Sequence, residues 1–148
     1  MFRFEDFTEG LVVPLGERRF ERDEIVAFAG RWDPQPFHLD EEAGAASMLG
    51  GLAASGWHTA AALMRLFVDS LLSKSPSLGS PGIDRLRWSK PVRPGTTLSA
   101  TLTVLETRVS RNRPKVGLVA ARFDVVDDAG DPVMTMTGTV MFEREVAP

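Results

Sequence analysis

The spacing of hydrophobic residues changes along the chain from a helical period to a period of two. Between residues 56 and 72 the apolar residues cover almost the whole surface of a helix, and one narrow polar stripe, which starts at His58, remains. A helix with so little polar surface must be buried on most of its sides. After the Ser/Pro/Gly-rich stretch 73–82, apolar and polar residues alternate, which is typical of strands with one buried face.

Four segments share this alternation, and short turn sequences join them. They are residues 83–90, 97–104, 119–125 and 134–142. Consecutive strands joined in this way predict an antiparallel meander. Its apolar face must cover something apolar, and the helix over 56–72 is the available partner. The predicted fold is therefore α+β, a long helix wrapped by a curved antiparallel β-sheet, and the length predicts a single domain over residues 1–148.

The first part of the chain predicts shorter elements. A short β-like piece is expected between residues 11 and 21. A helix is predicted to be capped by Asp23 and to end at Gly30. Residues 31–38 contain two prolines, which remove amide donors and favour extended geometry before them, so this stretch is predicted to be a rigid loop. A second short helix is expected over residues 39–47.

The composition excludes several classes of protein. The 148 residues include no cysteine, so disulfides, a thiol nucleophile and a cysteine-ligated metal are excluded, and a reducing cytoplasm fits. No run of about 18 apolar residues is present, so no transmembrane helix and no membrane association are expected. The acidic N-terminus lacks the apolar core of a signal peptide.

The charge is uneven, because residues 85–115 carry eight bases and one acid. One interpretation is that these are solvated strand faces and turns. The other is a rim that holds a small polyphosphate ligand. Nucleic acid is not expected, because Trp88 is the only aromatic residue among these bases and no stacking platform is visible. The candidates for phosphate contact are Lys90, Arg93, Arg111 and Arg113.

Asp33 and His38 are the main candidates for catalysis. The chain has only two histidines, and His38 lies five residues after Asp33 in the proline-stiffened loop, with Trp32 and Phe37 beside the pair. A carboxylate and an imidazole held together could bind one water between them. Histidine suits this role because its unperturbed pKa, about 6.5, lets it accept and return a proton near neutrality. The alternative is that Asp33 forms a turn and His38 lies on the surface. No metal is expected, because no further ligand has suitable spacing.

The small-residue run 50–56 is the second candidate element. It is either close packing of backbone against the sheet or a site where free amides at a helix N-terminus, around Gly56 and Trp57, face a carbonyl oxygen that gains negative charge. Ser55 is a candidate N-cap for that helix. His58 lies on the polar stripe and is interpreted as structural.

These residues carry a resemblance to a known family. The stretch FAGRWDPQPFH, residues 28–38, looks like the hydratase motif of the MaoC-like, (R)-specific enoyl-CoA hydratases. The stretch LGGLAASGWHTAAALMRL resembles the central helix of that family's hot-dog fold, and RLRWSKPVRPGTTLSATLTVLETRVS resembles the strands that follow it. Two departures are visible. In the motif, Gln35 stands where the family often has Asn, and Trp32-Asp33 stands where it often has a Gly-Asp pair. Along the helix, Met64 stands where some members have a polar residue.

The resemblance implies a hydro-lyase of acyl-CoA and fatty acid metabolism that hydrates a trans-2-enoyl thioester reversibly, with no metal or redox cofactor. Asp33 and His38 would hold the water and Gly56 would supply an oxyanion-hole amide. Trp32, Phe37, Ser55 and Trp57 would border the substrate. The family also implies a homodimer or dimer-based oligomer. A hot-dog thioesterase and a non-catalytic acyl-CoA-binding subunit are the alternatives.

Overall fold

The structure is a computed structural model that describes residues 2–146. Its regular elements are three α-helices and six β-strands within that range. The helices are α1 (Arg22–Trp32), α2 (Glu41–Ala46) and α3 (Gly56–Ser70). The strands are β1 (Val12–Arg19), β2 (Ser77–Gly79), β3 (Ile83–Trp88), β4 (Thr97–Val109), β5 (Val116–Val126) and β6 (Pro132–Glu143). None of the helices in this range is long and apolar enough to cross a membrane.

All six strands join one antiparallel sheet in the order β1-β4-β5-β6, and both β2 and β3 pair with the free edge of β6. The predicted meander is correct for β4, β5 and β6 but wrong for β3, whose Trp88 lies opposite Met134 of β6. The eight residues between β3 and β4 include two prolines and cannot form a tight hairpin. They cross the end of the sheet instead, where the Val92 carbonyl accepts a hydrogen bond from Ala54.

Helix α3 lies against the inner face of the sheet, as the alternating patterns predicted. Leu63 and Phe67 are buried there, and the Phe67 ring lies 5.0 Å from that of Phe123 on β5. The opposite face of α3 is open in the single chain, since Trp57 and Met64 are exposed. The sequence predicted burial of α3 on most sides. In the single chain only the face of α3 that lies toward the sheet is buried.

The boundaries before α3 differ from the prediction. The helix α1 starts at Arg22 without a side-chain cap and continues past Gly30 to Trp32. Its end is set by Pro34, because the residue before a proline disfavours helical geometry, and Asp33 has φ −151° and ψ 67°. The loop that follows is not wholly irregular, because Pro36–His38 form a 3₁₀ turn.

Candidate active site

The Asp33 carboxylate is held by neighbours from two segments. Its Oδ2 accepts a hydrogen bond of 2.7 Å from the Ser55 hydroxyl, and its Oδ1 accepts one of 2.7 Å from the Gln35 amide. Burial raises the pKa of Asp33, but the hydrogen bonds from Ser55 and Gln35 and the nearby His38 outweigh it and lower the pKa below its usual value. Asp33 is therefore ionised near neutral pH.

His38 is buried, with 7% of its surface exposed, so it is not the surface residue of the alternative interpretation. Its Nδ1 lies 2.6 Å from the Ala53 carbonyl oxygen. A carbonyl oxygen can only accept, so Nδ1 carries the proton and donates it. The other ring nitrogen, Nε2, lies 3.3 Å from Asp33 Oδ2. Nε2 is thus the nitrogen that can take up and release a proton beside a carboxylate.

A cleft of about 240 Å³ opens beside His38. Gly56 lines it at the first position of α3, and within residues 2–146 no acceptor is recorded for its backbone N–H. A side chain at this position is excluded by Trp88, since a Cβ on Gly56 would lie 2.5 Å from the indole ring. Close packing is therefore present at Gly56 together with an unpaired amide, and contact of that amide with a carbonyl oxygen stays a prediction.

Ser55 caps α3, as predicted, because its side-chain oxygen accepts a hydrogen bond of 3.3 Å from the Trp57 amide. The same hydroxyl donates to Asp33, and the residue is fully buried. Ser55 does not line the cleft in the structure. Its observed contacts are with the Asp33 carboxylate and the start of α3, so it holds the candidate catalytic carboxylate in place.

The aromatic residues predicted to border the substrate lie outside the cleft lining in the single chain. Trp32 is 65% exposed with the Arg31 guanidinium over its ring, and Trp57 is 59% exposed with its ring against that of Trp88. Phe37 contacts His38 edge-on at 4.6 Å between ring centroids. Trp88 is the aromatic residue that lines the cleft. Its only sequence signal is an aromatic residue near the end of the predicted strand 83–90, which does not single it out.

The basic residues predicted to form a rim do not meet within one chain. Lys90 lines the cleft, but its ammonium group is paired with Asp127 and Asp131 in the turn between β5 and β6. Arg111 and Arg113 lie in the turn between β4 and β5, at the other end of the sheet. Ten residue steps along β5 separate the two turns, which is roughly 30 Å. Contact of these residues with phosphate stays a prediction.

His58 is a buried core residue, as the structural interpretation required. Its ring is stacked on Phe28 at 4.7 Å, and its Nε2 lies 3.3 Å from Glu24 Oε1. Burial lowers the pKa of His58 below its usual value, and the favourable contact with Glu24 does not compensate. His58 is therefore neutral near neutral pH. Within residues 2–146, no group of three or more histidine or acidic side chains is placed to hold a metal ion.

We expect Ser55→Ala to raise the pKa of Asp33, because the hydrogen bond that favours its ionised form is lost. The acid limb of the pH profile of kcat/KM should then move to higher pH. The cap is lost as well, at a cost of about 1 kcal/mol in stability. Asp40→Ala is the matched control, because Asp40 caps α2 through the Ala43 amide and does not touch Asp33. An unchanged acid limb in Ser55→Ala would contradict this role.

Several known proteins are similar to this chain in sequence and fold. The family model described as MaoC like domain matches residues 10–125. The crystal structure of a MaoC-like dehydratase from Rhodospirillum rubrum is 42% identical, has a TM-score of 0.92 and covers 99% of this chain and 100% of its own. A Bacillus subtilis (strain 168) protein, the uncharacterized YdeM, is 29% identical over 74% of this chain and 78% of its own. The unliganded R-hydratase PhaJ1 from Pseudomonas aeruginosa shares the fold, at 22% identity and a TM-score of 0.73, over 99% of this chain and 92% of its own.

The curved antiparallel sheet around α3 is the hot-dog fold of these relatives. The chain belongs to the MaoC-like domain family.

Proposed function

We propose that this protein catalyses the reversible hydration of a trans-2-enoyl thioester, with coenzyme A as the carrier, to a 3-hydroxyacyl thioester. The observation that carries the proposal is the free Nε2 of His38, 3.3 Å from the Asp33 carboxylate, beside a cleft that also holds the Gly56 amide. The MaoC-like dehydratase from Rhodospirillum rubrum, at 42% identity, supports the reaction class. The absence of cysteine fits a reducing cytoplasm as the place of the reaction.

In the proposed hydration, a water bound between His38 and Asp33 gives a proton to Nε2 while its oxygen bonds to the β-carbon. The Asp33 carboxylate stabilises the imidazolium that forms, and the Nδ1–H bond to Ala53 keeps the ring oriented. The thioester oxygen gains negative charge and accepts a hydrogen bond from Gly56 N–H. Return of a proton to the α-carbon completes the addition of one water across the double bond.

We propose that the working unit is a homodimer. Among the described residues 2–146 no strand pairs with the outer edge of β3, and Ile83 and Trp88 on this strand are exposed. The apolar face of α3, with Trp57 and Met64, is open as well. A partner copy that covered these surfaces would remove a strand edge and apolar area from water together.

The product formed from crotonyl-CoA by the wild-type protein tests the reaction class. We expect the enoyl absorbance to fall without release of free CoA thiol, and 3-hydroxybutyryl-CoA to form. Release of thiol at the same rate would assign a thioesterase instead. Binding of CoA esters with no turnover of enoyl-CoAs of any chain length would assign a non-catalytic subunit.

A further inference from the structure

The acceptor that orients His38 lies on a segment without regular structure, residues 47–55, between α2 and α3. The Ala53 amide donates to the Phe37 carbonyl at 3.3 Å, and the Ala54 amide donates to the Val92 carbonyl at 2.9 Å. The segment is therefore held between the loop of His38 on one side and the connection from β3 to β4 on the other. Any movement of it displaces the carbonyl that accepts from His38 Nδ1.

Arg93, the residue after Val92, binds the same segment at two points. Its guanidinium donates to the Leu49 carbonyl and, at 3.4 Å, to the Leu52 carbonyl. Two glycines between these carbonyls make room for it. A Cβ on Gly51 would lie 2.9 Å from Arg93 Nη1, and Gly50 has φ +70°, which favours glycine. The glycines at the start of the small-residue run thus accommodate an arginine side chain.

We propose that Arg93 is a positioning residue that acts through Ala53 on His38. By joining the carbonyls of Leu49 and Leu52 it fixes the segment, and the segment holds His38 with its proton on Nδ1 and its Nε2 free. The effect on catalysis rests on the proposed hydration, whereas the effect on the imidazole does not. Lysine can replace this group only in part, because it offers a point charge rather than a planar fork of donors.

This role differs from the phosphate contact predicted from charge alone. A phosphate contact leaves the chemistry intact and raises KM for substrates that carry CoA, and it weakens with salt. A positioning role lowers kcat for every thioester, whether or not a phosphate is present. The N-acetylcysteamine thioester of crotonic acid has no phosphate and therefore separates the two roles.

The first arm of the test is independent of activity. The chain has two histidines, so a protein labelled with ¹⁵N in histidine gives two sets of imidazole signals. In the wild type we expect the His38 signals of a ring protonated at Nδ1. In Arg93→Met we expect exchange between the two tautomers, while the His58 signals stay unchanged.

The second arm measures kinetics with crotonyl-CoA and with its N-acetylcysteamine analogue. For Arg93→Met we expect kcat to fall about tenfold or more with both substrates, because small displacements of a catalytic group carry losses of this size. Arg93→Lys should retain only part of the wild-type kcat. Gly51→Ala should give the same pattern as Arg93→Met, because the added methyl group displaces the Arg93 guanidinium. Arg122→Met is the matched control, since Arg122 lies exposed on β5 and pairs with Asp124.

Unchanged His38 signals in a folded Arg93→Met would overturn the proposal. A defect limited to the KM for the CoA thioester would also overturn the proposal. It would show that Arg93 contacts a phosphate of CoA instead. If the wild type hydrates no enoyl thioester, the proposed function fails, and the imidazole signals still decide whether Arg93 positions His38. If Arg93→Met does not fold, Gly51→Ala and Arg93→Lys carry both arms.

Discussion

We expect Asp33→Asn and His38→Ala each to lower kcat for hydration of crotonyl-CoA by a factor between about 10² and 10⁴, the range expected for loss of a proton-transfer group. His38→Ala removes the nitrogen that accepts the proton from water. Asp33→Asn keeps the shape of the side chain but removes the charge that stabilises the imidazolium 3.3 Å away. KM should change little, because neither group anchors the carrier.

Asp40→Asn is the matched control for this pair of variants. Asp40 lies two residues after His38 and caps α2, so its change tests for general effects on the same part of the chain. We expect near-normal kcat for this variant. Full activity in both Asp33→Asn and His38→Ala would remove the two residues from the mechanism.

Gly56→Pro should lower kcat by about 10² to 10³ relative to Gly56→Ala, which is the size of the effect of one oxyanion-hole donor. Both variants add a Cβ, but only proline removes the N–H. Proline is tolerated at the first position of a helix, and Ser55 before it has ψ 138°, which is compatible with a following proline. The ratio between the two variants therefore isolates the amide.

Both variants need room, because a Cβ at position 56 collides with the Trp88 ring. The comparison is therefore made in a Trp88→Ala background, in which the three nearest clashing atoms are absent. Without that background, Gly56→Ala alone should cost about 1–3 kcal/mol of stability, as overpacking does. Equal kcat for Pro and Ala in the relieved background would exclude Gly56 N–H as the carbonyl anchor.

The elements with a local signal could be predicted from the sequence. Helix α3 has a dense apolar pattern and a serine cap at Ser55, and the structure starts it at Gly56 as predicted. The strands β4, β5 and β6 contain the alternating segments 97–104, 119–125 and 134–142. The proximity of Asp33 and His38 followed from a loop that two prolines stiffen, since a rigid loop keeps residues of short separation together.

Features that depend on contacts between distant segments could not be predicted. The pairing of β3 with β6 depends on how the chain between β3 and β4 crosses the sheet, and no local pattern encodes that path. The hydrogen bond from Ser55 to Asp33 joins residues 22 positions apart. Trp88 reaches Gly56, and Arg93 reaches Leu49, only after the sheet has formed. In the sequence Arg93 was one of several bases, and charge alone left open whether they were solvated surface or contacts to phosphate.

The measurement that tests the central claim most directly is the reaction of the wild-type protein with crotonyl-CoA in ¹⁸O-labelled water. If His38 and Asp33 deliver water to the β-carbon, mass spectrometry will find the label in the 3-hydroxyl group of an intact CoA thioester. Label in the carboxylate of a free acid, with the double bond retained, would contradict the account, because the water would then have attacked the thioester carbonyl.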